Sequence, residues 1–319
     1  MQVFRSIDEA AGKLAGCAVA IGNFDGVHLG HRALFAIARA RVGIDRPAVA
    51  LTFDPHPVRV LRPQLAPPVL TPLARKLELL AGCGLDATVV QPFTLDYARS
   101  AAAEFVERDL ARGLGAAAVV VGHDFTAGNE RARVDRLGPL LAARGIALEL
   151  LAPVAHEGLV ASSTKIREFL LEGNVEAAAQ LLARPHDVDG VVERGAGRGR
   201  AIGFATANVR AEALLPANGV YAVRALVAEP GAAGLAGARR WDGVCNVGVK
   251  PTVQASGPVL AEAHLFDHPG HDLHGAPIRL SFIARLREER RFPSLDALKN
   301  QIAADASSAR AVLRQTPAM

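Results

Sequence analysis

The stretch Val19-Ala20-Ile21-Gly22-Asn23-Phe24-Asp25-Gly26-Val27-His28-Leu29-Gly30-His31 decides the fold. An apolar run ends at Ile21, a glycine-containing turn follows, and His28 and His31 stand three residues apart. Beyond them Leu34, Ile37, Ala38 and Val42 recur at helical spacing. The order is strand, turn, helix, with both histidines at the helix entrance. Free N–H groups and the positive end of the helix dipole make such an entrance an anion site. Gly26 and Gly30 let a phosphate approach the main chain. Residues 28 and 31 share one helical face, so two imidazoles can grip one phosphate chain. Gly22, Asn23, Phe24 and Asp25 complete the candidate cradle.

Outward from this turn, residues 1–185 alternate strand-like and helix-like patterns. Ala48–Phe53, Asp86–Val90, Ala117–Val121 and Ala147–Leu151 read as buried strands. Helices fall between them. Thr71 is expected to cap one ahead of Pro72, and Ser100 another. The alternation predicts an α/β fold, a doubly wound parallel sheet covered on both faces. Ligands of such sheets sit beyond the strand carboxyl ends. Three unusual loops fall there: after Ile21, after Phe53 (Asp54-Pro55-His56-Pro57) and after Val121 (Gly122-His123-Asp124-Phe125). Ser162-Ser163-Thr164-Lys165-Ile166-Arg167 opens a further helix, and its hydroxyls either cap that helix or meet phosphate oxygens. A shorter helix from Asn174 ends at Arg184-Pro185, where the domain boundary is expected.

From residue 186 to 319 the pattern changes. Val188–Glu193, Gly219–Val227, Gly243–Gly248, Ala261–Phe266 and Ile278–Leu286 follow one another without intervening helices, which predicts an antiparallel β-barrel. A terminal helix begins after Ser294. Gly195, Gly197, Gly199, Arg200, Gly203 and Phe204 form a glycine-rich arch suited to phosphate oxygens. Thr206 and Asn208 point the same way from an extended segment, and their hard oxygens suit Mg²⁺ that already carries nucleotide oxygens. Glu262 interrupts an apolar strand. A carboxylate there is paired, solvated at the barrel mouth, or a general base.

The chain has 319 residues and a formal net charge of +4. That balance fits an anionic small molecule. The basic residues are scattered among acids, which argues against nucleic acid as partner. Cys17, Cys83 and Cys245 lack metal-ligand spacing and suggest a reducing compartment. No signal peptide and no transmembrane span is evident. A cytoplasmic protein is expected, free of membrane, as a monomer or weak homo-oligomer.

Taken together these residues resemble the bacterial bifunctional riboflavin kinase/FAD synthetase family over residues 3–314. The likeness rests on Gly22–His31, Thr52–Pro57, Gly122–Phe125 and Ser162–Arg167. In the second half it rests on Gly199–Phe204, Thr206–Asn208, Asn218–Tyr221, Asn246–Thr252, Glu262–Leu265 and Leu286–Phe292. The resemblance implies two ATP-dependent steps, riboflavin to FMN in the barrel and FMN to FAD in the first domain. It implies Glu262 as kinase base, Thr206 and Asn208 as Mg²⁺ ligands, and His28, His31 and Arg167 as charge stabilisers. Gly122, Asp124, Ser162, Ser163 and Thr164 would contact nucleotide. Phe53, Pro55, His56, Pro57, Asp124, Phe125 and Arg287 would contact flavin. The chain departs from the family pattern at Ala127, Arg133, Ala205 and Lys250, none of them a proposed catalytic group. A chain with one activity, or a non-catalytic flavin-binding regulator, is the alternative.

Overall fold

Alanine and β-branched residues alternate in the first strands, and that alternation sorts the two sheet faces. The computed structural model describes residues 1–194, 206–249, 259–269, 272–290 and 292–316. Contacts divide them into two units, Met1–Ser162 and Ser163–Met319. The first holds β1 (Gln2–Phe4), β2 (Ala18–Ile21), β3 (Ala48–Asp54), β4 (Ala87–Pro92), β5 (Ala118–Gly122) and β6 (Ala147–Leu151). Their order is β1-β4-β3-β2-β5-β6, with every pairing parallel. A small antiparallel pair, β7 (Ala155–His156) and β8 (Leu159–Val160), follows.

On one sheet face Val19, Ile21, Val49, Leu51, Val89, Val119 and Val121 join a core with Phe4, Phe105, Leu110 and Leu137. On the other, Ala18, Ala20, Ala48, Ala50 and Ala118 make room for Leu34, Phe35 and Ala38 of the helix Leu29–Val42. Small residues on that face let the helix lie close, and both faces are buried as parallel sheets require. From β2 the chain runs outward to β3 and β4, then returns to β5 on the other side. The order therefore reverses at β2/β5, beneath the loops 22–28 and 122–125.

The second unit begins with the helices Ser163–Glu172 and Val175–Leu182. A closed barrel follows: β9 (His186–Glu193), β10 (Ala207–Ala211), β11 (Gly219–Val227), β12 (Arg239–Val249), β13 (Val259–Leu265) and β14 (Pro277–Arg287). All its pairings are antiparallel, in the order β10-β13-β12-β11-β14-β9. Tyr221 and Phe282 are fully buried and meet edge to face at 5.5 Å. One residue out of phase, Val220, Ala222 and Val244 turn outward against Ala309 and Leu313 of the terminal helix Leu295–Gln315. Ser294 caps that helix through the N–H of Ala297. The Arg287 guanidinium grips the buried Asp305 carboxylate with two nitrogens, fixing the end of β14 to the helix.

The sequence expectation placed the boundary after Pro185, whereas contact groups the helix pair with the barrel. Two cap expectations are corrected. Thr71 lies ahead of the helix Leu73–Ala81 and accepts from the Gly26 N–H instead. Ser100 does not cap either, because the helix starts at Ala102 and its first N–H goes to Glu130 from a distant loop, 3.0 Å away. Four strands, β1, β7, β8 and β10, were not anticipated.

Candidate functional site

The turn after β2 is held in a shape its residues do not prefer. Phe24 and Val27 have φ of 51° and 46°, beside Gly26 at 90°. A positive φ costs a bulky or β-branched residue roughly 1–3 kcal/mol. Buried contacts hold it: Phe24 and Val27 are both fully buried, and Phe24 meets Phe35 edge to face at 4.8 Å. Asp25, 5% exposed, accepts from the N–H groups of Leu70 and Thr71 at 3.1 and 2.9 Å. The Asn23 carbonyl accepts from Thr52 Oγ1 and from Lys76 Nζ, at 3.2 and 2.9 Å. Gly22 continues the sheet through its N–H to the Leu51 carbonyl. Asp25→Ala is expected to cost about 1–3 kcal/mol by leaving buried donors unmet, read as a lowered urea midpoint.

The turn delivers two imidazoles to one spot. His28 is the N-cap of the helix Leu29–Val42, and His31 lies in its first turn. Their rings stack at 3.6 Å, 22° from parallel, and Phe24 closes on His31 edge-on at 5.3 Å. At Gly30 a Cβ would stand 3.2 Å from the His28 ring, so a side chain there would crowd it. Burial, then the charges of His28 and Lys76, hold His31 well below the ordinary histidine range. Its Nδ1 is buried with no hydrogen-bond partner among the described residues. Burial likewise lowers Lys76, against the pull of Asp25 and Asp54. Lys76 escaped the sequence reading. Its signal was position: it falls with Leu73, Leu77 and Leu80 on the apolar side of its helix.

The neighbouring strand ends converge on the same side of the sheet. After β3, the Asp54–Pro55 bond is cis, and His56 Nδ1 accepts from Val58 at the start of the short helix Pro57–Leu61. Phe53 belongs to a half-buried aromatic trio with Phe93 and Tyr97, centroids 5.7–6.2 Å apart. The Tyr97 hydroxyl donates to Asp109, itself gripped by Arg108, at 2.8 Å. Phe93 and Tyr97 were missed because each looks like an ordinary apolar residue in sequence. After β5, Phe125 turns back on the Gly122 carbonyl at 3.1 Å and packs on the core, leaving Asp124 exposed.

In the second unit, Ser163 and Thr164 open the helix that also carries Arg167, with Ser162 just ahead of it. On the barrel, strand register brings distant residues into one row. Glu262 on β13 stands opposite Asn208 on β10 and opposite Asn246 on β12. Asn246 in turn opposes Val220, whose side chain faces outward to the terminal helix. Asn208, Glu262 and Asn246 therefore share the barrel's outer face. Glu262 is half-buried and Asn208 is 7% exposed. Thr206 lies two residues before Asn208 and is exposed. Glu289 lies over this row, accepting from Asn246 Nδ2 at 3.4 Å. Arg287 is committed to Asp305 and stands over the Phe292 ring at 5.7 Å. Asn246 and Glu289 lay in quoted motifs but carried no assigned role. The arch residues Gly195, Gly197, Gly199, Arg200, Gly203 and Phe204 lie outside the described residues.

The chain thus carries a parallel sheet with a histidine-bearing turn at its switch point and a barrel presenting a carboxylate between two carboxamides, the framework of a two-domain protein. The FAD synthetase family matches residues 11–165 and the riboflavin kinase family residues 182–313. The chain is 37% identical to the bifunctional riboflavin kinase/FMN adenylyltransferase of Pseudomonas fluorescens, over 98% of both chains. It is 36% identical to the Escherichia coli (strain K12) protein of the same name, over 92% of each. The chain belongs to the bifunctional riboflavin kinase/FMN adenylyltransferase family. Its fold also matches a crystal structure of a Streptococcus pneumoniae protein named as a macrolide-efflux protein. There the TM-score is 0.82, with 28% identity over 99% of both chains. Among the described residues no helix here is long and apolar enough to cross a membrane.

Proposed function

We propose that the chain makes FAD from riboflavin in two ATP-dependent steps, with residues 186–319 supplying the first chemistry and residues 1–185 the second. In the first, the riboflavin 5′-hydroxyl oxygen attacks the γ-phosphorus of ATP and ADP leaves. In the second, an FMN phosphate oxygen attacks the α-phosphorus of another ATP and pyrophosphate leaves. The observation that carries this reading is the pairing, in one chain, of the Asn208–Glu262–Asn246 row with the His28/His31 stack.

The two centres differ as the two nucleophiles do. An alcohol must lose its proton, and Glu262 takes it. The FMN phosphate is already anionic and needs no base. It needs donors around the α-phosphate, and His28 and His31 fill that role. Gly22, Asn23, Gly26, Gly30, Gly122 and Ser162 frame the nucleotide, while Asp25 holds the turn in place. The half-buried trio of Phe53, Phe93 and Tyr97 offers flat apolar surface for the flavin ring, beside Pro55, His56 and Pro57. Thr206 and Asn208 fit Mg²⁺, since a hydroxyl and a carboxamide oxygen beside a carboxylate are the hard donors it prefers. When bound, the ion neutralises phosphate oxygens. Three free thiols, two of them buried, support a reducing compartment such as the cytoplasm.

The test is product analysis with the purified full chain. Riboflavin, ATP and Mg²⁺ should yield FMN and then FAD, and FMN with ATP should yield FAD directly. Neither product above a no-protein control overturns the reading, and only one product reduces it to a single activity.

A further inference from the structure

Glu289 follows β14 in an exposed stretch, yet its carboxylate has a built seat on the barrel. Asn246 and Gly248, two residues apart on β12, face the same side of the sheet, and the carboxylate lies over both. Asn246 Nδ2 donates to Glu289 Oε1 at 3.4 Å. At Gly248 a Cβ would stand 2.7 Å from Oε1, 3.1 Å from Oε2 and 3.2 Å from Cδ of that one side chain. The room a Cβ would need is filled by the carboxylate, so glycine there is what lets Glu289 reach Asn246.

The chain on either side of Glu289 is clamped to the terminal helix. Arg287 holds the Asp305 carboxylate through Nε and Nη2 at 2.9 and 2.7 Å, and its Nη1 donates to the Glu288 carbonyl at 2.8 Å. Arg290 donates to Gln301, whose own amide donates to Asp305 at 2.7 Å. Both guanidinium groups stand over the Phe292 ring, at 5.7 and 5.1 Å. A glutamate on a free loop would have to lose its freedom each time it made this contact. Here the neighbouring bonds hold its backbone in place.

The contact ends beside the proposed base. Asn246 stands directly opposite Glu262 in the β12/β13 register. A carboxamide carries two N–H donors and one acceptor oxygen. With one donor taken by Glu289, the Asn246 amide is held one way round, and its other N–H and its oxygen keep fixed directions next to Glu262.

We propose that Glu289, seated on Gly248, is a positioning residue for riboflavin phosphorylation, acting by orienting the Asn246 carboxamide beside Glu262. This rests on the kinase reading above and goes beyond it, since that reading gives Glu289 no part. Glu289 takes no proton and touches no reacting atom. Its effect passes through Asn246.

The experiment measures kcat and KM for both reactions, with the melting temperature, in the full chain and in Glu289→Ala, Glu289→Gln and Gly248→Ala. Misplacing a positioned group by about 1 Å can cost up to about 100-fold in rate. Glu289→Ala and Gly248→Ala should each lose about 10-fold in kcat for riboflavin phosphorylation, with KM for riboflavin and ATP within about 3-fold. FMN adenylylation, with FMN supplied, and the melting temperature should hold. Glu289→Gln keeps an acceptor oxygen and should recover most of the loss. In an Asn246→Ala background, Glu289→Ala should change kcat by less than about 2-fold, because the residue it acts through is gone. Unchanged kcat in Glu289→Ala, glutamine as poor as alanine, a full effect of Glu289→Ala without Asn246, or loss of both reactions in step with the folded fraction overturns the proposal. An unaltered chain that makes no FMN strikes the kinase reading itself. An active chain indifferent to Glu289→Ala strikes the positioning role alone.

Discussion

Glu262→Gln is expected to slow riboflavin phosphorylation by about 10²- to 10⁴-fold, the usual contribution of a positioned general base. Glutamine keeps the size and one acceptor of the carboxylate and removes its charge and its basicity. The position tolerates that exchange. Glu262 is half-buried on the outer face of β13, and its row neighbours Asn208 and Asn246 are neutral amides on both sides. The fold of the barrel rests elsewhere, on Tyr221, Phe282 and the seam with the terminal helix. The melting temperature should hardly move. FMN adenylylation, measured with FMN supplied, should also stay at its original rate. A loss below about 10-fold would remove Glu262 from the base role. Equal loss of both reactions would contradict the division of labour between the two units.

His31→Ala carries the second large effect. Removing one preorganised donor typically costs about 10²–10³ in rate, so FAD formation from FMN should fall by that much, with riboflavin phosphorylation retained. The same imidazole has a pH signature. Its folded value lies well below the ordinary histidine range, chiefly through burial and then through His28 and Lys76. Above the unfolded value of about 6.5 both states are neutral there, and the full stability is present. As pH falls below it, the unfolded chain takes up a proton that the native chain refuses. Stability is lost until the folded value is passed. Between pH 7 and 5 the urea midpoint of the unaltered chain should therefore drop more than that of His31→Ala. A parallel drop in both would show that His31 is not the group concerned.

Much of this was legible in the sequence because it is local. The apolar runs reproduced the sheet, and Gly219–Val227 and Ala147–Leu151 match their strands end to end. The helices expected from Asn174 and after Ser294 begin there, and each of these residues caps its helix. The failures share a cause. Thr71 and Ser100 looked like caps, but their loops are engaged with residues far along the chain, Gly26 and Asp25 for one and Asn129 for the other. β10 was hidden because Ala207–Ala211 is short and follows a glycine-rich stretch, which reads as loop. β1 is three residues long, too short for any period to show. At the sites, the histidine stack was readable from i, i+3 spacing. The Asn208–Glu262–Asn246 row was not, because register joins three strands that local pattern cannot align.

The strained turn at Phe24 and Val27 bears on how quickly the molecule can work. A loop that settles only when a ligand arrives must lose conformational freedom at that moment, and the affinity is diminished by that loss. Here the loss is taken during folding. The rings of Phe24 and Phe35, the Asp25 carboxylate and the Lys76 ammonium fix the turn through the protein's own contacts. On the function proposed above, the nucleotide is expected to meet a turn already shaped. Binding there is then expected to be limited by encounter and release rather than by rearrangement of the loop.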